Sequence, residues 1–253
     1  MYAEERQQAI ADLLRSSGRV SVTELAALYE VTTETVRRDL SALERVGMAR
    51  RVHGGAVPVS SVIERRLSER DESNPEEKER IGKAAGALVP PLDATIILDA
   101  GSTVGRLAGH LPRDRRLVVF THSFPVATRL LTQSNVELHL LPGRLRATTQ
   151  AAVGTDTVEY LRRLHADVAY VGTNGLSFDR GLSTPDTDEA ATKRAIVAAA
   201  ARVVLTADAD KIGQEHTVQF AELEQIDTVV TDDRISDRVV QRLERCGIEV
   251  VVA

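Results

Sequence analysis

The sequence predicts an α/β chain in two parts: a small, mostly helical module closed by a hairpin, then a larger domain on a mainly parallel sheet. Three observations carry this. Up to about residue 57 the apolar residues recur at helical spacing, and only the stretch around His53-Gly54-Gly55 reads as paired strands. From about residue 76 short apolar runs alternate with helical patterns, as parallel strands covered by helices require. Aromatic residues are 3% of the chain and Trp is absent, so the core must be built from Ala, Val, Leu and Ile, which suits α/β layers.

Ile10, Leu13 and Leu14 place an amphipathic helix over about 3–16, ended by Gly18. Ser21 and Glu24 have the spacing of a capping box, and Leu25 and Leu28 then face the core. Thr32 or Thr33 caps the next helix, whose buried stripe is Val36, Leu40 and Leu43 and whose stop is Gly47. Met48–Val52 and Ala56–Val59 pair as strands, with Gly54-Gly55 supplying a turn that tolerates positive φ. Residues 58–75 read as a linker, although Val62–Arg70 can form a helix. The remainder, 76–253, carries strand runs at Thr95–Leu98, Leu117–Phe120, Val136–Leu141, Val168–Val171, Val203–Leu205, Thr228–Val230 and Glu249–Val252, with a helix over Glu189–Ala201.

Hydrophobic residues at 43% and charged residues at 27% allow a packed core and exclude disorder. The net charge of −5 means that any affinity for nucleic acid comes from a local patch. A single cysteine, Cys246, a polar start and the lack of an apolar run near the ~20 residues that span a bilayer predict a cytoplasmic protein with no membrane association. The six histidines are scattered, and neither a metal-ligand spacing nor a nucleotide-binding glycine motif occurs, so no metal or cofactor is expected.

The N-terminal module has the order of a DNA reader: supporting helix, turn, second helix, basic hairpin. The second helix of such a pair enters the major groove, and its first turn meets base edges. Here that turn carries Thr33, Thr35, Arg37 and Arg38. Arg37 and Arg38 diverge by ~100° on the helix, so one can read a base, Arg37 by preference, while the other grips phosphate. Over 36–52 five arginines face two acids, a local charge of +3 in an acidic chain. With the hairpin's Arg50, Arg51 and His53, and Ser21 at the supporting helix, these are the candidate DNA contacts. An arginine pair alone also fits a merely solvated helix face.

Val20-Ser-Val-Thr-Glu-Leu-Ala26, Val31-Thr-Thr-Glu-Thr-Val-Arg-Arg-Asp-Leu40 and Arg51-Val-His-Gly-Gly-Ala56 resemble the DeoR family of bacterial transcription regulators, and the likeness continues through the second domain. The resemblance implies a winged helix-turn-helix domain (1–57) joined to a sugar-phosphate-sensing domain similar in fold to ribose-phosphate isomerases. It also implies operator DNA and a phosphorylated sugar as partners, in a homo-oligomer (dimer or tetramer).

In the second domain Asp99-Ala-Gly101-Ser102-Thr103 follows a strand and opens a helix, where backbone amides can bind an anion; an ordinary capped turn reads the same way. The resemblance favours the phosphate loop. Thr121-His122-Ser123 ends the next strand, where the family usually shows Thr-Asn-Ser, so His122 is a departure; Pro142-Gly143 stands where Gly-Gly is usual. Arg144 and Arg146 can add charge for a phosphate, and Asn174 can bond sugar hydroxyls. The resemblance places Asp186, Glu189 and Lys193 around the ligand and likens Asp208-Ala-Asp-Lys211 to an Asp-x-x-Lys motif of the family. The runs Arg144–Gly154 and Gly172–Thr184 are similar to actinobacterial repressors of sugar phosphotransferase and fructose genes, which makes a fructose phosphate the first expected effector. The alternative is a phosphosugar isomerase with an accessory DNA module, using Asp208, Glu189 or Asp186 as base; an isomerase has no use for residues 1–57, so no enzymatic activity is expected.

Overall fold

The computed structural model describes residues 2–17, 20–46, 48–52, 54–58 and 64–253. The chain divides into two compact units, 1–63 and 64–253. In the first, α1 (Ala3–Ser17), β1 (Val20–Ser21), α2 (Val22–Leu28) and α3 (Thr33–Arg45) are followed by a hairpin of β2 (Ala49–Val52) and β3 (Gly55–Pro58). Ile10 and Leu14 of α1, Leu25 of α2, and Val36, Leu40 and Leu43 of α3 meet Val20, Ala49 and Ala56 in one core. Thr32 caps α3, its hydroxyl accepting the Thr35 amide at 3.1 Å. The turn from α2 to α3 closes with the Val31 amide on the Ala26 carbonyl (3.0 Å) and the Glu30 amide on that of Ala27 (3.4 Å). That pattern puts Glu30 in the left-handed region (φ 52), where glycine is usual.

Three local expectations are corrected. Ser21 starts α2, but its side chain makes no capping bond. Its backbone instead pairs with Gly55, and the Val22 amide reaches the Gly54 carbonyl at 2.9 Å, so a third strand does the work of the cap. Leu28 is exposed and Ala26 buried, because the inward stripe runs Val22, Leu25, Ala26 at the 3.6-residue period. Of the two hairpin glycines only Gly54 has positive φ (78); a Cβ on Gly55 would lie 1.9 Å from the Val20 carbonyl oxygen, so Gly55 answers to the close approach of β1. Gly18, Gly47 and Val59 lie outside the described residues.

The second unit begins with two helices, α4 (Leu67–Glu72) and α5 (Pro75–Gly86). Residues 64–75, expected as linker, therefore include a helix. Then come β4 (Ala94–Leu98), α6 (Ser102–Leu107), β5 (Leu117–Thr121), α7 (Phe124–Leu130) and β6 (Val136–Leu140). A hairpin of β7 (Arg144–Arg146) and β8 (Ala151–Val153) leads to α8 (Thr155–Leu161) and β9 (Ala166–Gly172). β10 (Gly175–Ser177), β11 (Gly181–Thr184), α9 (Thr187–Ala198), β12 (Ala200–Thr206), β13 (Val218–Ala221), β14 (Thr228–Thr231), α10 (Asp237–Arg245) and β15 (Glu249–Val252) complete it. The expected helix at 189–201 thus starts two residues earlier and yields to β12 at Ala200.

Seven strands form one parallel sheet in the order β15-β14-β12-β9-β4-β5-β6. Residues alternate between two cores: Ile96, Leu98, Val119 and Tyr170 pack under α5, α6 and α7, while Ile97, Ala169, Val171 and Leu205 pack against α8 and α9. Burial on both faces explains why the central strands read as continuous apolar runs. Strand order reverses between β4 and β9, and in open α/β sheets the crevice at the carboxyl ends of such a pair is where ligands bind. β10, β11 and β13 form a separate antiparallel sheet. No helix among the described residues is long and apolar enough to cross a membrane.

Candidate nucleic-acid interface and effector site

The face of α3 is set from behind. Asp39 falls on its inward stripe and is buried, where Arg6 of α1 meets it through Nε–Oδ2 at 2.6 Å and Nη2–Oδ1 at 3.3 Å, joined by Gln7 Nε2 at 2.9 Å. This pair fixes the rotation of α3 about its axis. Asp39 was counted only as local charge from sequence; its spacing with Val36, Leu40 and Leu43 is the signal of an inward carboxylate needing a buried cation. Arg37 and Arg38 point the other way, with side chains 52% and 81% exposed, and share Glu34 at a loose 3.6 Å each. Pairs of that kind are worth little, so both guanidiniums are available. Thr33 is exposed, and the Thr35 hydroxyl lies 2.9 Å from that of Thr32.

Arg51 is tied to α3: its amide donates to Glu44 Oε1 (3.0 Å) and its Nη1 to Ser41 Oγ (3.1 Å). The hairpin is thereby held against α3. Arg50 pairs with Val57 through its backbone; its side chain, like all of His53, lies outside the described residues. Ser21 is half-buried in β1.

In the second unit the expected effector residues sort into three groups. Asp99, His122, Glu189 and Lys193 converge in a buried ionic cluster at the β4–β9 crevice. Asp99 Oδ2 accepts from the Gly172 amide (2.9 Å) and pairs with Lys193 Nζ, which also donates to the Gly172 carbonyl (3.0 Å). His122 lies with Nε2 2.9 Å from Asp99 Oδ1 and Nδ1 2.8 Å from the Ala152 carbonyl. Burial alone would raise the Asp99 carboxyl, but Lys193 and His122 outweigh it and hold that carboxyl well below the usual range. Burial likewise opposes charge on His122, but Asp99 outweighs it and the imidazole is raised. With Asp99 ionised, both ring nitrogens must carry protons to face their partners. The Ala100 amide also approaches Nε2 at 3.1 Å, but a nitrogen donating to Asp99 cannot accept from it. Glu189 is lowered in the same way: burial opposes its charge, and Lys193 and His122 prevail.

Arg146 extends the cluster. Its guanidinium meets Glu189 Oε1 (2.9 Å), Glu64 Oε2 (3.0 Å) and Asp186 Oδ2 (3.1 Å), and Thr149 Oγ1 donates to Glu189. Asp186 also caps α9, accepting the amides of Asp188 (3.0 Å) and Glu189 (2.9 Å). Arg144, by contrast, is exposed and pairs with Asp188 at 2.6 Å, so it stands apart from the cluster.

The second group lies at the mouth. Gly101 has φ 141, a value that residues with side chains rarely adopt, and a Cβ there would meet nothing within 4 Å, so its face is open. Ser102 is half-buried and Thr103 buried at the start of α6. Asn174 is half-buried, its Oδ1 accepting from Thr184 Oγ1 (3.0 Å). Asp208, buried after β12, precedes a 3-10 turn ending at the half-buried Lys211. Sequence reasoning missed what faces this pair. Asn74 Nδ2 lies 3.4 Å from Asp208 Oδ1 and 2.7 Å from Asp210 Oδ2. Lys78 of α5 is buried, its Nζ donating to the Arg70 and Ser73 carbonyls; burial lowers it to about 8 against the opposing pull of Asp208. The signal was present: Lys78, Ile81, Gly82 and Ala85 share one helical stripe.

In the third group the polar atoms are used up in the fold. Thr121 Oγ1 accepts the Ser123 amide (3.1 Å), and Ser123 Oγ caps α7 through the Val126 amide (3.4 Å). Among the described residues no group of His, Cys, Asp and Glu is arranged to hold a metal ion.

A helix-turn-helix with a basic outer face, followed by a doubly wound domain with a charged crevice, defines a ligand-responsive DNA-binding regulator. Residues 6–62 match the family model described as a DeoR-like helix-turn-helix domain, and residues 73–233 match the DeoR C terminal sensor domain. The chain is 36% identical over 252 residues to the HTH-type transcriptional regulator GlpR of Haloferax volcanii, covering 99% of this chain and 98% of that one. It is 33% identical over 253 residues to the HTH-type transcriptional repressor GlcR of Bacillus subtilis, covering 100% and 97%. The protein belongs to the DeoR family of transcriptional regulators and is a regulator rather than an enzyme. Ribose 5-phosphate isomerase A from Neisseria gonorrhoeae aligns over 58% of this chain and 56% of its own, at a TM-score of 0.37 and 15% identity, a likeness that carries no argument about function.

Proposed function

We propose that the protein represses genes of sugar uptake or catabolism and is controlled by a phosphorylated sugar, with a fructose phosphate as first candidate. The single observation that carries the reading is the convergence of Asp99, His122, Gly172, Glu189 and Lys193 from distant parts of the sequence at the switch-point crevice. The open face at Gly101, with Ser102 and Thr103, suits the phosphate. Asp208, Lys211, Lys78 and Asn174 suit the phosphate or the sugar hydroxyls. The likeness of 144–154 and 172–184 to fructose-gene repressors supports a fructose phosphate.

On the DNA side, Arg37 reads a base edge and Arg38 grips phosphate, while Thr33, Thr35 and the hairpin's Arg50, Arg51 and His53 add contacts. A helix-turn-helix reads a half-site, so the active form is a dimer or tetramer on a two-fold operator. The effector shifts the population toward a form with lower operator affinity. The test is fluorescence anisotropy of an operator selected from random DNA by the protein, titrated with a panel of sugar phosphates. A fructose phosphate is expected to weaken binding by roughly 5- to 150-fold, the span of typical coupling energies. Operator affinity indifferent to every sugar phosphate overturns the sensing assignment.

A further inference from the structure

Glu64 is the first residue of the second unit, directly after residues 59–63, which join it in sequence to the DNA-binding unit. Its side chain is only 6% exposed, held by Arg146 Nη2 on Oε2 at 3.0 Å. The other oxygen, Oε1, is buried with no hydrogen-bond partner among the described residues. Burial and the nearby Glu189 both raise its pKa, while Arg70 and Arg146 oppose them. The same guanidinium bonds Glu189 Oε1 at 2.9 Å and Asp186 Oδ2 at 3.1 Å, so one cation serves three carboxylates. Glu189 in turn belongs to the Asp99–Lys193–His122 cluster.

The segment that follows Glu64 is held by polar contacts. α4 has no buried residue. The Leu67 amide donates to the Thr148 carbonyl at 2.8 Å, in the same β7–β8 hairpin that carries Arg146, and Asp71 pairs with Arg106 at 3.0 Å. Lys78 Nζ holds the carbonyls of Arg70 and Ser73. The one apolar side chain of α4, Leu67, is only half-buried, so the segment's position depends mainly on where these charges find partners.

We propose that the Glu64–Arg146 ion pair is a strap that couples the effector crevice to the segment entering from the DNA-binding unit, and that a phosphate monoester in the crevice opens it. The strap rests on the assignment of the crevice as a sugar-phosphate site. A phosphate dianion offers Arg146 a bidentate partner of higher charge than one carboxylate. Drawing Arg146 away leaves Glu64 with neither oxygen partnered, and a buried unpaired carboxylate moves to water. α4, without a buried side chain, loosens with it. The exchange happens at the point where the sensor unit takes over the chain from the DNA-binding unit, so binding in the crevice reaches residue 64 by one change of ionic partner. By linkage, removing the carboxylate that competes for Arg146 tightens phosphate binding.

The test uses the full chain, with inorganic phosphate and fructose 6-phosphate as probes. Binding is read by calorimetry and amide exchange across 65–73 by mass spectrometry. A bound probe is expected to speed exchange at 67–72 by about tenfold while the sheet strands stay protected. Glu64→Gln is expected to exchange fast without ligand, to lose the response, and to bind the probe roughly three- to tenfold more tightly. A probe that binds wild type yet leaves exchange at 67–72 unchanged or slower overturns the strap and leaves sensing intact. Failure of both probes and of the wider sugar phosphate panel to bind overturns sensing itself, and the strap with it. If Glu64→Gln does not fold, the wild-type exchange comparison decides alone.

Discussion

The two units of this regulator treat charge in opposite ways. On α3 the guanidiniums of Arg37 and Arg38 stand in water with one loosely shared acid, while in the crevice Asp99 and Lys193 are 0% and 4% exposed and bound to each other. The difference matches the partners. DNA brings its own dense charge and releases counterions, so a cation that waits in water serves best. A small anion bound in a protein interior needs charges already desolvated, and these persist there only if each has a resident partner. Among its described residues the first unit does contain a crevice-like element, the Arg6–Asp39 pair, and it has a scaffold role in holding α3.

This contrast can be broken by exchanging a residue on each side. Lys193→Ala removes one of the two cations that hold buried Asp99 and is expected to cost about 3–5 kcal/mol of stability, read by urea unfolding of the second unit. Arg37→Ala is expected to leave stability within about 0.5 kcal/mol while weakening operator binding by about 1–3 kcal/mol and relaxing preference at one base. Equal loss of stability in the two variants breaks the comparison.

Gly55→Ala separates packing from charge in the first unit. The new Cβ would meet the Val20 carbonyl oxygen at 1.9 Å, so β1 must give way. A loss of about 1–3 kcal/mol is expected from such overpacking, and an unchanged melting temperature would mean that the approach of β1 does not require glycine at this position.

The pH dependence of the crevice sharpens the contrast further. His122 is raised in the fold, so its contribution is complete below its unfolded pKa and is lost as pH rises through the folded value. The stability gap between wild type and His122→Asn should therefore be widest in mildly acidic buffer and narrow toward alkaline pH, as calorimetric melts across that range would show. A gap that does not move with pH means that the ring is neutral.

The smallest effect concerns backbone alone. Glu30 at φ 52 holds a conformation that strains non-glycine residues, so Glu30→Gly is expected to stabilise by up to about 1 kcal/mol. Denaturant melts check it, and destabilisation would mean that the Glu30 side chain makes a contribution larger than the strain.

The central strands of the parallel sheet were legible because they are buried on both faces and read as near-continuous apolar runs; the half-exposed edge strands β6 and β15 were legible from their Val and Leu residues. β7, β8, β10 and β11 were not, since strands of only three or four residues are too short to show a periodicity. The arginines of α3 were legible as a local motif, Asp99 and His122 as residues that follow strands, and Glu189 and Lys193 only through the family resemblance. Which of those residues would be buried ions, which caps and which exposed was not, as Arg144 and Arg146 show: the same residue type two positions apart, one paired on the surface and one serving three carboxylates, two of them nearly buried.

Helical and strand periods are local properties, set by the 3.6- and 2-residue repeats of the backbone, and the sequence by itself determined them together with the basic face of α3. The partner of each buried charge was decided only by tertiary structure. An ion's partner depends on distances across the fold, not along the chain: Arg6 finds Asp39, Asp99 finds Lys193 and His122, and Glu64 finds Arg146 because packing brings them within reach and burial leaves each carboxylate few cations to share. Ser21 makes the same point for the backbone: its capping spacing was real, but once β1 lay beside β3 the strand bond to Gly55 took the place of the cap.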